Sequence, residues 1–292
     1  MGDFLRFVMI GLGNGAIYAM IGLGLVVIYR ATGLLNFAQG EIAMLTTFIV
    51  WNLHDAGLPI PLAILGGAVA GFVLGAVVHR VVVAPVGDPH QKPLAVVIVT
   101  IGLFLGINSL AQLIWGPNTR DLSPAFGNGA LWGVANGWQK LGCLAVLGLE
   151  VLVFTLVFRR TKLGLTMRAV ASNPESSALV GVPVARILMI GWGLAAALGA
   201  VAGSFTAPDR GLDSNLMLLT LIYAFTAITL GGFDSLVGAV VGGLVVGVLS
   251  EVVPQYVGWF QNLPLAPAFL VILVVLLVRP EGLFGTRRVT RV

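Results

Sequence analysis

Apolar runs of membrane-crossing length recur along the chain, separated by short segments that hold most of its Pro, Arg and Asp residues. About 20 apolar residues are needed to cross the hydrocarbon core of a bilayer. By that measure, spans are predicted near 7–29, 36–53, 61–79, 94–115, 141–158, 184–206, 215–232, 236–253 and 265–279. The second, seventh and ninth are short or interrupted, so the expectation is eight to ten spans. The first run, Phe7 to Tyr29, is longer than a signal-peptide core and lacks a small-residue cleavage site, which makes it a span. The predicted fold is an all-α, polytopic transmembrane helix bundle, with residues 1–292 forming one transmembrane domain.

Composition strengthens this reading. The hydrophobic set makes up 58% of the 292 residues and charged residues only 10%, against about 25% charged in soluble domains. No compact soluble unit could hide that much apolar surface. The 39 glycines agree with it, because Gly is commoner in membrane helices than in soluble ones. The net charge of +4 does not point to nucleic acid, since basic residues gather in cytoplasmic loops. With the 159–186 connection placed inside, the inner loops collect Arg30, Arg80, Lys92, Arg159, Arg160, Lys162, Arg168, Arg186, Arg279, Arg287, Arg288 and Arg291. The outer segments hold Arg6, Arg120, Lys140 and Arg210. This bias puts the N-terminus outside and the C-terminus inside. The one cysteine, Cys143, lies in an apolar run and reads as a small packing residue.

Polar residues inside apolar runs are candidate functional positions, because a charge at bilayer depth costs several kcal/mol unless protein or water surrounds it. Three acids qualify: Glu41, Glu150 and Glu251. Glu41 closes the stretch Asn36-Phe37-Ala38-Gln39-Gly40-Glu41, in which Asn36 reads as an N-cap with Gln39 three residues on. Either this is a capped helix start at the inner interface, or the span runs through the protein interior and its polar groups line a solute path. Glu150 is expected to pair with a polar group of span four, such as Asn108 or Gln112, and Glu251 to reach water near the outer end of its span. Asn14 in span one reads first as an interhelical hydrogen bond. Small residues four apart (Gly67, Gly71 and Gly75; Gly199 and Gly203; Gly238 and Gly242; Gly243 and Gly247) imply close helix packing within the chain, with a dimer face as the sharper reading. Ile17-Tyr18-Ala19 and Ile222-Tyr223-Ala224 echo each other, but three letters do not establish a repeat.

The 159–183 segment carries strong helix punctuation. Asn173 suits an N-cap, Pro174 the first helical position and Glu175 the positive end of the dipole. Gly181 stops the helix and Pro183 prevents its resumption. A helix of about two turns is predicted outside the membrane, preceded by another near Leu165–Ala171. Such a rigid knob either connects two spans or docks a cytoplasmic partner.

Four blocks decide between these. Gly33–Glu41, Arg168–Glu175 followed by Gly181, Leu230–Gly243 and Arg279–Gly285 resemble, in order, the signatures of branched-chain amino-acid ABC importer permeases. Each alone is weak; together they are specific and span nearly the whole chain. The resemblance implies a bacterial inner-membrane permease subunit importing branched-chain or related amino acids by alternating access. It implies a second, related permease subunit, two cytoplasmic ATPase subunits and an extracytoplasmic solute-binding protein as partners. It makes 164–183 the coupling region, with Arg168, Asn173, Pro174, Glu175 and Gly181 as its residues. The polar start of span two, Asn36, Gln39 and Glu41, would lie near the path, and Asn14 is a further path candidate. One departure is Thr46-Thr47, where relatives often carry Gly or Ala. The chain has no phosphate loop and no zinc or cysteine cluster, so no cofactor is expected and the chain is not itself an ATPase. His54, His79 and His90 read as interface residues at span ends or loops. The alternative is an ion-coupled carrier using Glu41 or Glu150.

Overall fold

The computed structural model describes residues 2–87, 92–131 and 133–285. His90, Arg287, Arg288 and Arg291 lie outside the described residues. Every predicted span falls on a helix. In chain order these are α1 Gly2–Thr32, α2 Gln39–Asp55, α3 Ile60–Val78, α4 Pro93–Trp115 and α5 Gly137–Arg160. Two short helices, α6 Lys162–Ser172 and α7 Pro174–Leu179, follow. Then come α8 Val184–Arg210, α9 Leu218–Gly231, α10 Leu236–Tyr256 and α11 Ala266–Val278. A π-helical turn, His79–Val83, and a 3-10 turn, Ala84–Val86, extend α3.

Among the described residues, six helical stretches are long and apolar enough to cross a membrane: α1, α3 with its extension, α4, α5, α8 and α10. The three short or interrupted runs became α2, α9 and α11, of 17, 14 and 13 residues. At 1.5 Å per residue the shortest reaches about 20 Å, less than the bilayer core. The chain is a multi-pass membrane protein. Its α1 is the axis: 83% of its apolar window is buried, against 22% for α4. Helix α1 packs on α10, α8, α5 and α9, and α8 also holds α2 and α3. At the periphery, α4 turns Leu94, Ile98, Leu105 and Leu113 outward, a face suited to lipid.

The glycine pairs settle as packing within the chain. A side chain at Gly247 would overlap the Gly11 carbonyl and Gly15 of α1, and a Cβ at Gly243 would lie 2.7 Å from that of Ala19. Gly71 and Gly75 meet the Ala196 and Trp192 carbonyls of α8, and Gly242 meets Ala227 of α9. Without hydrophobic driving force between helices in lipid, such backbone approach is what holds them. Thr46 and Thr47, the departure from the family pattern, bond their hydroxyls to carbonyls of their own helix. Gly203 makes room for Thr47, whose hydroxyl occupies the space a Cβ would need. The echoed triplets meet in space, with Tyr18 of α1 stacked on Tyr223 of α9 at 4.6 Å between ring centroids.

Two local expectations need correction. Helix α2 begins at Gln39, after the N-cap Ala38, so Asn36 does not cap it. The Asn36 Oδ1 instead accepts from the Ala38 N–H at 3.0 Å in a turn. His79 does not lie at a wet interface: it is buried, with its ring 5.9 Å from that of Trp192. His54, at the end of α2, contacts the Leu58 carbonyl. Cys143 is buried, as a packing residue should be.

Candidate functional sites

The best-formed local structure is α7. Asn173 Oδ1 accepts from the Ser176 N–H at 2.8 Å, capping the helix, and Pro174 takes the first position. At the other end, Gly181 has φ +85°. Its N–H donates to the Ala178 carbonyl, and that of Val182 to the Ser177 carbonyl. This paired closure needs a left-handed residue, which Gly supplies without strain. The cap thus stiffens a six-residue helix that would be far too short to persist alone. Its end presents Leu179 and Val180, 88% and 80% exposed. Helix α6 is capped by Thr161, whose hydroxyl oxygen accepts from the Gly164 N–H. Arg168 donates to the Phe158 carbonyl, tying α6 back to the end of α5. Under α7, Pro174 and Glu175 line a mostly apolar cavity of about 360 Å³ with Ala31, His79 and Leu188.

Residues within or directly before the four sequence blocks are linked to one another toward this end. Arg30, at the end of α1 just before the first block, donates to the Asp234 carbonyl in the third at 2.6 Å. The fourth block folds onto the third: the Leu283 and Phe284 N–H groups donate to the Leu230 and Gly231 carbonyls, each at 2.9 Å. Ala31 and α7 share one cavity, which brings in the second block.

Within the bundle, Gln39 Nε2 donates to the Ala195 carbonyl of α8 at 2.8 Å. Asn36 Nδ2 approaches Gln39 Oε1 at 3.5 Å. Both side chains are buried and pin the start of α2 to α8. Glu41, 2% exposed, accepts from Asn108 Nδ2 at 3.1 Å. Asn108 also donates to the Ser214 carbonyl and accepts from Gln112 at 2.6 Å. The polar residues of span four therefore serve Glu41. Glu150 lacks the expected pairing, and both its oxygens are without a hydrogen-bond partner among the described residues.

Asn14 belongs to a separate network near the opposite end. Lys140 Nζ donates to Asn14 Oδ1 at 2.7 Å and lies 2.5 Å from Asp209 Oδ2. Asn14 Nδ2 donates to Glu251 Oε1 at 2.8 Å, so Glu251 does more than reach water. Lys140, Asp209 and Arg210 were not sequence candidates, because they lie at span ends where charge is unremarkable. Their convergence appears only when α5, α8 and α10 are packed around α1.

Comparison with known proteins agrees with this architecture. The family model described as branched-chain amino acid transport system / permease component matches residues 7–278. LivH of Salmonella typhimurium, a high-affinity branched-chain amino acid transport system permease protein, is 26% identical over 99% of this chain and 98% of its own. BraD of Pseudomonas aeruginosa, described in the same terms, is 28% identical over 99% and 98%. The solved structure of PsaBC from Streptococcus pneumoniae in complex with Fab aligns at TM-score 0.50, with 12% identity over 96% of each chain, a likeness of fold.

Proposed function

Given that the chain belongs to the family of branched-chain amino acid transport permease components, we propose that it moves aliphatic amino acids across the bacterial inner membrane, with α7 as the contact through which an ATPase drives it. The chain is a transport subunit, not an enzyme. The observation that carries the coupling assignment is a rigid, doubly capped helix, lying within a family-like block, that exposes Leu179 and Val180. Two large apolar side chains held out on a stiff knob suit insertion into a groove on a partner.

On this reading the α7 end faces the cytosol, which places the N-terminus outside and the C-terminus inside, in keeping with the distribution of basic residues. Two ATPase subunits dock there, an extracytoplasmic binding protein delivers solute at the opposite end, and a second permease subunit completes the path. Force on α7 passes directly into α8, which grips α1, α2 and α3. Rocking α8 against the rest alternates access. Nucleotide need bias two states of similar energy by only a few kcal/mol. The polar start of α2 is held to α8 by Gln39, so it moves with that helix. An ion-coupled carrier is the weaker reading, because the relatives are permease components of transport systems.

The test is uptake of radiolabelled leucine by proteoliposomes. The expected result is uptake by the assembled transporter that requires ATP on the side facing α7. Gradient-driven uptake by the permease alone, indifferent to ATP, would overturn the reading.

A further inference from the structure

Across the bundle from α7, a cavity of about 330 Å³ opens between the middle of α1 and the ends of α5, α8, α9 and α10. Lys140, on its wall, lies about 30 Å along α5 from the helix end that carries Arg160. We propose that this cavity binds the zwitterion of one aliphatic α-amino acid, a step that rests on amino acids being the solute.

The argument comes from which polar groups are already satisfied. Lys140 is buried and spends its charge on Asp209 and Asn14. Asp209 is held further by Asn136 at 3.3 Å. Asn14 passes the chain on to one oxygen of Glu251. Three groups on the wall remain open. Arg210 is exposed and makes no hydrogen bond or ion pair among the described residues. The second oxygen, Oε2, of Glu251 accepts no hydrogen bond among them. Thr220 is 1% exposed, yet its hydroxyl has no partner among the described residues.

One free guanidinium, one free carboxylate oxygen and one idle hydroxyl complement a carboxylate and an ammonium. Arg presents a planar fork that pairs with a carboxylate through two parallel bonds. Glu251 is fixed by Asn14 and so is preorganised to receive an ammonium. Ile10, Ile17 and Tyr18 also line the cavity and offer apolar surface to a hydrocarbon side chain. The four charges on the wall cancel, which favours a ligand with no net charge. The volume sits at the small end of the usual ligand-cavity range of about 300–1,000 Å³, which suits one small solute rather than a peptide.

Equilibrium binding to the purified, complete transporter in nanodiscs, without its binding protein, tests the proposal with three probes. These are L-leucine, leucinamide (which lacks the carboxylate) and 4-methylpentanoate (which lacks the ammonium). L-Leucine is expected to bind saturably and tighter than either analogue. Arg210→Gln should weaken L-leucine by about tenfold or more while leaving leucinamide as in wild type. Glu251→Gln should weaken L-leucine and leucinamide while leaving 4-methylpentanoate unchanged. A merely structural role would weaken all three probes together. The proposal is overturned by that uniform loss, by no effect of either substitution, or by the absence of saturable L-leucine binding in wild type. ATP-driven leucine uptake is scored separately. Uptake without this binding sinks the site alone, and absence of uptake sinks the solute reading, while binding still decides the site.

Discussion

Glu150 shows most sharply what one residue can and cannot reveal. A carboxyl 9% exposed whose two oxygens have no hydrogen-bond partner among the described residues is a net burden on the fold, since an unsatisfied buried polar group costs about 1–3 kcal/mol. Glu150→Leu should therefore raise stability by about that amount and leave ATP-driven uptake intact, as read by thermal unfolding in detergent and by transport. An ion-coupled carrier built on Glu150 would instead lose transport with this substitution. The residue was conspicuous in the sequence, but its surroundings were not. Its expected partner Asn108 bonds Glu41, 67 positions away in the chain, and no local pattern states which spans are neighbours. Asn36 taught the same lesson. As a capping residue it was plausible, yet Gln39 is drawn to Ala195, 156 positions away, and the helix starts where that contact allows.

At the scale of the element, the reach of sequence was longer. Asn173, Pro174 and Gly181 marked α7 because caps are local: each acts on backbone groups within a few residues. The long apolar helices were legible for a similar reason, as membrane length is counted along the chain. Helix α2 was less so, because its 17 residues owe their place to contacts with α3 and α8. The account makes α7 a docking element whose apolar tip serves no internal purpose. Substituting Leu179→Asp and Val180→Asp together should leave the permease folded. It should cut solute-stimulated ATP hydrolysis and uptake by roughly thirtyfold, the effect of losing about 2 kcal/mol at a central contact. The comparison is with wild type in the same nanodiscs. Unchanged coupling in the folded double variant would make α7 a connector only.

For the whole molecule, the two ends carry different chemistry. One carries the capped helix, the Arg30–Asp234 contact and the fold of the last family-like block onto the third. The other carries the Lys140–Asp209–Asn14–Glu251 network around a polar cavity. Between them, α1 and α8 run the depth of the bundle, knitted by glycine contacts with α10 and α3. The bias of basic residues indicated from sequence which end should face the cytosol. The polar cavity was invisible there, since five helices contribute to it from distant parts of the chain. The most direct measurement is photo-crosslinking in native membranes from a benzoylphenylalanine placed at position 179. The account predicts an adduct between the permease and a cytoplasmic ATPase subunit, weakened when nucleotide changes the ATPase state. An adduct with an extracytoplasmic protein, or none at all from a position so exposed, would contradict it.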